Sequence, residues 1–224
     1  MPYGCLPLLA LFVLLFLVPL FLAQLILAAL AKLGLSPQLS LLAAFGIFFG
    51  GMVNIPVKRF PHDEEVLAVP TGLFGIERAF PGWVRRRSYT ILAVNVGGCL
   101  VPAAIALYEL TRLANQGMHA LVGGLAAVGI NTFVCFRAAR PVRNVGIALP
   151  AFLSPLVSVV CALVLMPAFA PPVAFAAGVL GPLIGADLFH LGDVRKSTTG
   201  IASIGGAGTF DGIVLSGLLA TLLA

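Results

Sequence analysis

Charge is what this sequence has least of: 8 acidic and 13 basic residues among 224, or 9%. A water-soluble domain carries about 25%. With 60% of its residues hydrophobic, the chain cannot cover itself in water, and lipid is the solvent for most of it. Cysteine is also scarce. Cys5, Cys99, Cys135 and Cys161 stand apart and form no Cys-x-x-Cys pair, which excludes a zinc ribbon or a thioredoxin-like motif and leaves small apolar residues. The net charge of +5 comes without a long basic run or aromatic–basic alternation, so no nucleic-acid partner is expected. No Lys or Arg precedes Lys32, and the apolar run over 6–31 is too long for the core of a cleaved leader, so the first helix is expected to stay.

What is present is a series of apolar runs near the length of about 20 residues that crosses a bilayer. Seven are predicted, at 6–31, 39–55, 89–107, 119–136, 146–166, 172–191 and 200–223. The fold class this implies is all-α: one transmembrane bundle over residues 1–224, with 57–88 as a cytoplasmic loop. On alternating sides of seven spans, Lys and Arg divide eleven to two. By the positive-inside rule the N-terminus is expected to be cytoplasmic and the C-terminus outside. In the 57–88 loop, an aromatic and basic stretch from Phe80 to Arg87 suits the headgroup layer. His62-Asp63-Glu64-Glu65 reads there as a solvated charge run rather than a metal site.

An ionisable group inside a span is a functional-site hypothesis, because charge in hydrocarbon costs roughly 2.5–3.5 kcal/mol on insertion scales. Asp187 sits about four residues, or roughly 6 Å, from the cytoplasmic end of the sixth span, and Asp211 about eleven residues, or roughly 16 Å, into the seventh. Asn54, Asn95, Asn131 and Ser154 fall within roughly 12 Å of the same face. The pattern suggests a polar pocket open to the cytoplasm, or else asparagines and serines that bond neighbouring helices. His190, three residues after Asp187, shares its face. The pair suits a metal or a proton relay, or the His is an interfacial residue. Gly205, Gly206, Gly208 and Gly212 favour either an unwound stretch or a close-packing ridge. Unwinding would bring Asp211 to the start of a shorter helix, near the depth of Asp187. Glycine pairs followed by Asn or Asp recur at Gly50-Gly51, Gly123-Gly124 and Gly205-Gly206, with spacings too unequal for a repeat.

Gly185-Ala186-Asp187-Leu188 and Ser203-Ile204-Gly205-Gly206-Ala207-Gly208-Thr209-Phe210-Asp211-Gly212-Ile213, with Asn54-Ile55-Pro56 upstream, resemble a family of small prokaryotic integral membrane proteins of unknown function. The resemblance implies a multi-span inner-membrane protein and assigns no activity. Three readings stand. A carrier would bind a proton, cation or small solute at Asp187 and Asp211, using a broken helix. An intramembrane aspartyl protease would use the same two residues as a catalytic pair on a membrane peptide, although the Gly-x-Gly-Asp signature is replaced by Gly208-Thr209-Phe210-Asp211. A scaffold would use them as buried hydrogen-bond anchors. No cofactor is evident, a bound cation is compatible with the acidic pair, and the oligomeric state is not encoded in any motif.

Overall fold

The computed structural model describes residues 5–67, 83–142, 146–193 and 200–224. Four of the eleven basic residues counted above, Arg78, Arg143, Arg195 and Lys196, lie outside them, as do Phe80, Pro81 and Gly82 of the aromatic and basic stretch. Helices dominate the described residues: α1 (Cys5–Phe12), α2 (Val18–Lys32), α3 (Pro37–Gly50), α4 (Val101–Gln116), α5 (Met118–Ala138), α6 (Leu153–Leu165), α7 (Ala170–Pro182) and α8 (Gly212–Leu223). Four continuous helical runs, Leu9–Lys32, Val96–Gln116, Met118–Ala138 and Pro167–Leu188, are long and apolar enough to cross a membrane, while Pro37–Gly50, Leu153–Leu165 and Gly212–Leu223 are shorter apolar helices. Their outward surface is Leu, Phe and Val, as at Leu14, Phe21, Leu42, Phe133 and Val164, which suits a bilayer and not water.

The expectation of a pure helix bundle fails at five strands, β1 (Asn54–Leu67), β2 (Trp83–Asn95), β3 (Arg140–Val142), β4 (Gly146–Ala148) and β5 (Gly200–Ile204). The described parts of the predicted 57–88 loop, 57–67 and 83–88, are the two arms of an antiparallel strand pair. β1 and β2 pair antiparallel from Asn54↔Asn95 to Leu67↔Trp83, and the register sets Asp63 opposite Arg87, Glu64 opposite Arg86 and Glu65 opposite Arg85. β5 adds in parallel on the other side of β2, from Thr90↔Gly200 to Val94↔Ile204. β3 and β4 form a separate antiparallel pair. Three of the predicted spans therefore begin as strand. Tyr89-Thr90-Ile91-Leu92-Ala93-Val94 is the clearest case: an apolar run rich in branched residues fits a buried strand as well as a helix, and apolarity alone does not separate them.

Three helices carry a widened π turn, at Val13–Leu17, Val96–Leu100 and Leu183–Leu188. In each an i→i+5 bond closes the turn, from Val18 N–H to the Val13 carbonyl, from Val101 N–H to the Val96 carbonyl and from Phe189 N–H to the Ile184 carbonyl at 3.0 Å. Pro19, Pro102 and Pro182 lie beside the three turns. Pro19 and Pro102 each deny a carbonyl inside the neighbouring turn, Leu15 and Gly98, its usual donor, and a π turn is one way to absorb that loss.

α7 is the hub, packed against α4, α5, α6 and α8. Its Ala174, Phe175, Ala176, Ala177, Gly178 and Val179 are all buried. Small residues set this closeness. A Cβ on Gly178 would come within 2.9 Å of the Ser216 carbonyl oxygen of α8. With no hydrophobic drive between helices in lipid, such backbone approach supplies much of the packing energy.

At the end of the bundle away from the sheet, α4 continues to Gln116, well past the expected boundary at 107, and carries Glu109 into the core with no exposed surface. The sequence reading missed this third buried carboxylate. Arg112 pairs with it at 2.9 Å and donates to the Leu33 carbonyl at 2.6 Å, closing the end of α2. Lys32 donates to the Leu222 carbonyl at 3.0 Å. The two basic residues of the charge-poor side thus act as caps on helix C-termini. Arg112→Ala strands Glu109 in an apolar setting and is expected to cost about 3 kcal/mol, a fall in Tm of roughly 6–12 °C. Glu109→Leu combined with Arg112→Leu should recover most of that loss in a thermal melt, because it removes both charges.

Candidate functional site

At the opposite end, three stretches of backbone meet where side chains would not fit. The C-terminal turn of α3 brings Gly50 and Gly51, the π turn before α4 brings Gly97 and Gly98, and the segment between β5 and α8 brings Gly205 and Gly208. A Cβ on Gly97 would overlap the Ile47 carbonyl and the Gly51 nitrogen, and one on Gly98 would overlap the Gly205 carbonyl oxygen. Gly205 and Gly208 also have φ of +71° and +61°, a region side chains disfavour. Two of the three glycine pairs noted in the sequence meet here. The third member, Gly97-Gly98, went unremarked because no Asn or Asp follows it.

Asn95 holds this junction. Its Oδ1 accepts from Gly98 N–H at 2.7 Å, capping the π turn. Its Nδ2 donates to the Gly51 carbonyl at 2.8 Å and to Asn54 Oδ1 at 3.1 Å. Asn54 Oδ1 also accepts from Ser203 Oγ at 2.6 Å, which ties the start of β1 to β5. The Asn95 side chain and the Asn54 side-chain oxygen are therefore committed to the scaffold they hold.

Asn131 is likewise committed. Its Nδ2 lies 2.9 Å from Ser154 Oγ, 2.9 Å from Ser158 Oγ and 2.8 Å from the Ala177 carbonyl, so three oxygens share two hydrogens. Ser154 Oγ lies 2.6 Å from Ser216 Oγ. The network stitches α5, α6, α7 and α8 together, and Gly181 makes room for it, since a Cβ there would overlap the Asn131 amide. Asn131→Ala is expected to lower stability by about 2 kcal/mol, read as a Tm decrease of roughly 4–8 °C, without changing what the cavity below binds.

Asp187 and Asp211 come together in a different way. Both line one cavity of about 580 Å³. Its walls are the π turn after α7 (Ala186, Asp187), β5 (Ile201 to Ile204), the glycine segment (Gly205, Gly206, Ala207), β4 and the start of α8. Asp211 is the N-cap of α8: Oδ1 accepts from Ile213 N–H at 3.0 Å and Oδ2 from Ala207 N–H at 3.3 Å. The chain is not helical over Gly205 to Ala207, so Asp211 begins a 12-residue helix instead of lying deep within a long one. Asp187 has no hydrogen-bond partner among the described residues. Gly185, two positions earlier, packs on the Thr132 backbone of α5, so the glycine faces protein and the carboxylate faces the cavity.

A family model described as a protein of unknown function (DUF1614) matches residues 48–223. The chain belongs to that family. The part matching DUF1614 takes in the glycine junction, the sheet, the cavity and both aspartates, and leaves out α1, α2 and most of α3. No curated protein and no solved structure matches the chain.

The remaining predicted site residues sit elsewhere. Asn54, Asn95, Asn131 and His190 do not line the cavity. His190 Nδ1 reaches back to the Gly185 and Ala186 carbonyls at 3.2 and 3.0 Å, and its ring lies 5.1 Å from that of Phe136, the setting of a helix-end cap. Gly205, Gly206 and Gly212 do line the cavity, while Gly208 packs on Gly51. Among the described residues no three His, Cys, Asp or Glu side chains are grouped as ligands for a metal. Sequence reasoning missed β5 as a cavity wall, because Gly200-Ile201-Ala202-Ser203-Ile204 has no apolar–polar alternation to mark it as a strand.

Proposed function

We propose that this cavity hydrolyses a peptide bond in an apolar, membrane-embedded segment, with Asp187 and Asp211 as the acid–base pair. The observation that carries the reading is that two carboxylates from separate elements, otherwise surrounded by apolar residues and backbone, line one cavity. Two carboxylates sharing a site titrate as a unit, and the singly protonated state holds a base and an acid together. The ionised carboxylate takes a proton from water as the water oxygen bonds to the scissile carbonyl carbon, and the protonated one gives its proton to the carbonyl oxygen. In the second step the gem-diol returns a proton to the pair, the amide nitrogen takes one, and the C–N bond breaks to leave a carboxylic acid and an amine. In the orientation that the basic loops favour, the cavity opens toward the cytoplasm.

A second reading, a proton or cation carrier, is favoured by the break between β5 and α8, where backbone is freed from helical bonding beside an aspartate. The experiment separates the two. Full-length protein in lipid vesicles is given a set of internally quenched single-span apolar peptides, and in parallel a pH or cation gradient with a fluorescent reporter inside. Cleavage by the parent that is lost in both Asp187→Asn and Asp211→Asn supports hydrolysis. Intact peptides together with an aspartate-dependent gradient collapse would sink it in favour of the carrier.

A further inference from the structure

β5 has one partner in the described sheet, β2, and its residues Ile201 to Ile204 line the aspartate cavity. A strand with one neighbour presents unpaired N–H and C=O groups along its other edge. The Ser203 carbonyl is already engaged, accepting from Gly206 N–H at 3.2 Å, which leaves the edge from Gly200 to Ala202. Ile201 is 68% exposed there, an apolar side chain at the mouth of a cavity. β5 is also held firmly, bonded to β2 over five residue pairs and pinned by Ser203 to Asn54 at 2.6 Å.

An apolar segment arriving from lipid arrives as a helix, because in hydrocarbon every backbone polar group must be satisfied within the segment. A helix hides the peptide carbonyl that water has to reach, so hydrolysis requires local unwinding, and unwinding frees N–H and C=O groups that cost several kcal/mol if left unpaired. A fixed strand edge beside the carboxylates answers that cost with backbone hydrogen bonds, and because those bonds are made by the main chain they tolerate many side chains.

We infer that the edge of β5 left unpaired among the described residues receives an extended, apolar polypeptide segment as an added strand, laying its backbone across Asp187 and Asp211. This rests on the hydrolytic reading for what happens next, but the docking step can be tested without it.

The test uses full-length protein carrying Asp187→Asn, so that no bound peptide is cut, and a fluorescein-labelled twelve-residue peptide of Val, Ala, Thr and Leu, with binding read by fluorescence anisotropy. Each backbone amide of the peptide is replaced in turn by an ester, which deletes one N–H donor and keeps every side chain. Strand addition is expected to weaken binding by about three- to tenfold at every second position over a run of three to five residues, and little at the positions between. Ile201→Lys, an exposed site where a charge blocks edge pairing, is expected to weaken binding at least tenfold while the Tm stays within about 2 °C of the parent. Failure of the peptide to bind, a uniform ester effect, or one recurring every third and fourth position as in a helix overturns the docking proposal. So does an Ile201→Lys protein that binds normally, or one that differs from the parent only in oligomeric state, which would put a second copy of the chain on the edge. Alternating ester effects without any hydrolysis by the parent would leave β5 as a peptide-binding edge and remove the catalytic reading alone.

Discussion

Gly98→Ala is expected to abolish accumulation of folded protein. The added Cβ would meet the Gly205 carbonyl oxygen head-on, come within 2.9 Å of the Gly205 carbonyl carbon and within 3.1 Å of the Gly208 oxygen. All three are backbone atoms, so no side chain can rotate away. Relief requires separating the turn before α4 from the segment before α8, and this takes with it the Asn95 cap and the Asn54–Ser203 bond. A loss above about 4 kcal/mol follows, in the range reserved for a few mechanisms of which backbone collision is one, against a total stability of about 5–15 kcal/mol. Gly129→Ala is the control. It lies within α5 with nothing within 4 Å of an added methyl, and alanine is the better helix former by up to about 1 kcal/mol. Size-exclusion profiles and melts of the two variants in detergent should diverge completely; equal profiles would mean that the three glycine segments do not touch in the membrane.

The second large effect concerns the aspartates, where stability and activity are expected to part. Asp187 makes no hydrogen bond among the described residues, so Asp187→Asn removes a carboxylate from the cavity without breaking a hydrogen bond, and its Tm should equal or exceed the parent's. Asp211 caps α8, and asparagine is as good an N-cap as aspartate, whereas alanine costs about 1 kcal/mol. Asp211→Asn keeps the bond from Ile213 N–H and loses the longer one from Ala207 N–H, so it should melt between the parent and Asp211→Ala, which falls by roughly 2–4 °C. Peptide hydrolysis should fall by a hundredfold to ten-thousandfold in either Asn variant, the usual worth of a positioned general acid or base. The rate of the parent should rise and then fall with pH, since only the state with one proton on the pair is competent. Activity that tracks Tm across these variants would return the aspartates to a purely structural role.

The membrane character and the apolar helices were legible because they rest on composition and run length, and both survive whatever the tertiary packing does. Asp187 and Asp211 were legible for the same reason: a charge in an apolar run stands out. Three things were not. The strands at 89–95 and 200–204 hid inside apolar runs that a helix could equally have used. Glu109 escaped notice because its run was ended at Leu107, although Arg112, one turn on, supplies the partner that lets α4 carry a carboxylate inward. The roles of Asn54, Asn95 and Asn131 were open in the sequence, since an asparagine near a pocket and an asparagine stapling two helices look alike until the partners within 3.1 Å are seen.

The β1–β2 pair has a mechanical consequence. β2 is 13 residues long, about 44 Å at a strand's rise, and the same strand that spans the pair borders β5 at its inner end. It is an unbroken rod with its footing at Asn95, clamped by Asn95 to the glycine contact, and with the cavity wall fastened along its side. β5 pairs with that strand only over Thr90 to Val94, next to the footing, so the cavity wall and the glycine contact stand on the same few residues of one strand, and a shift of that strand end would move both.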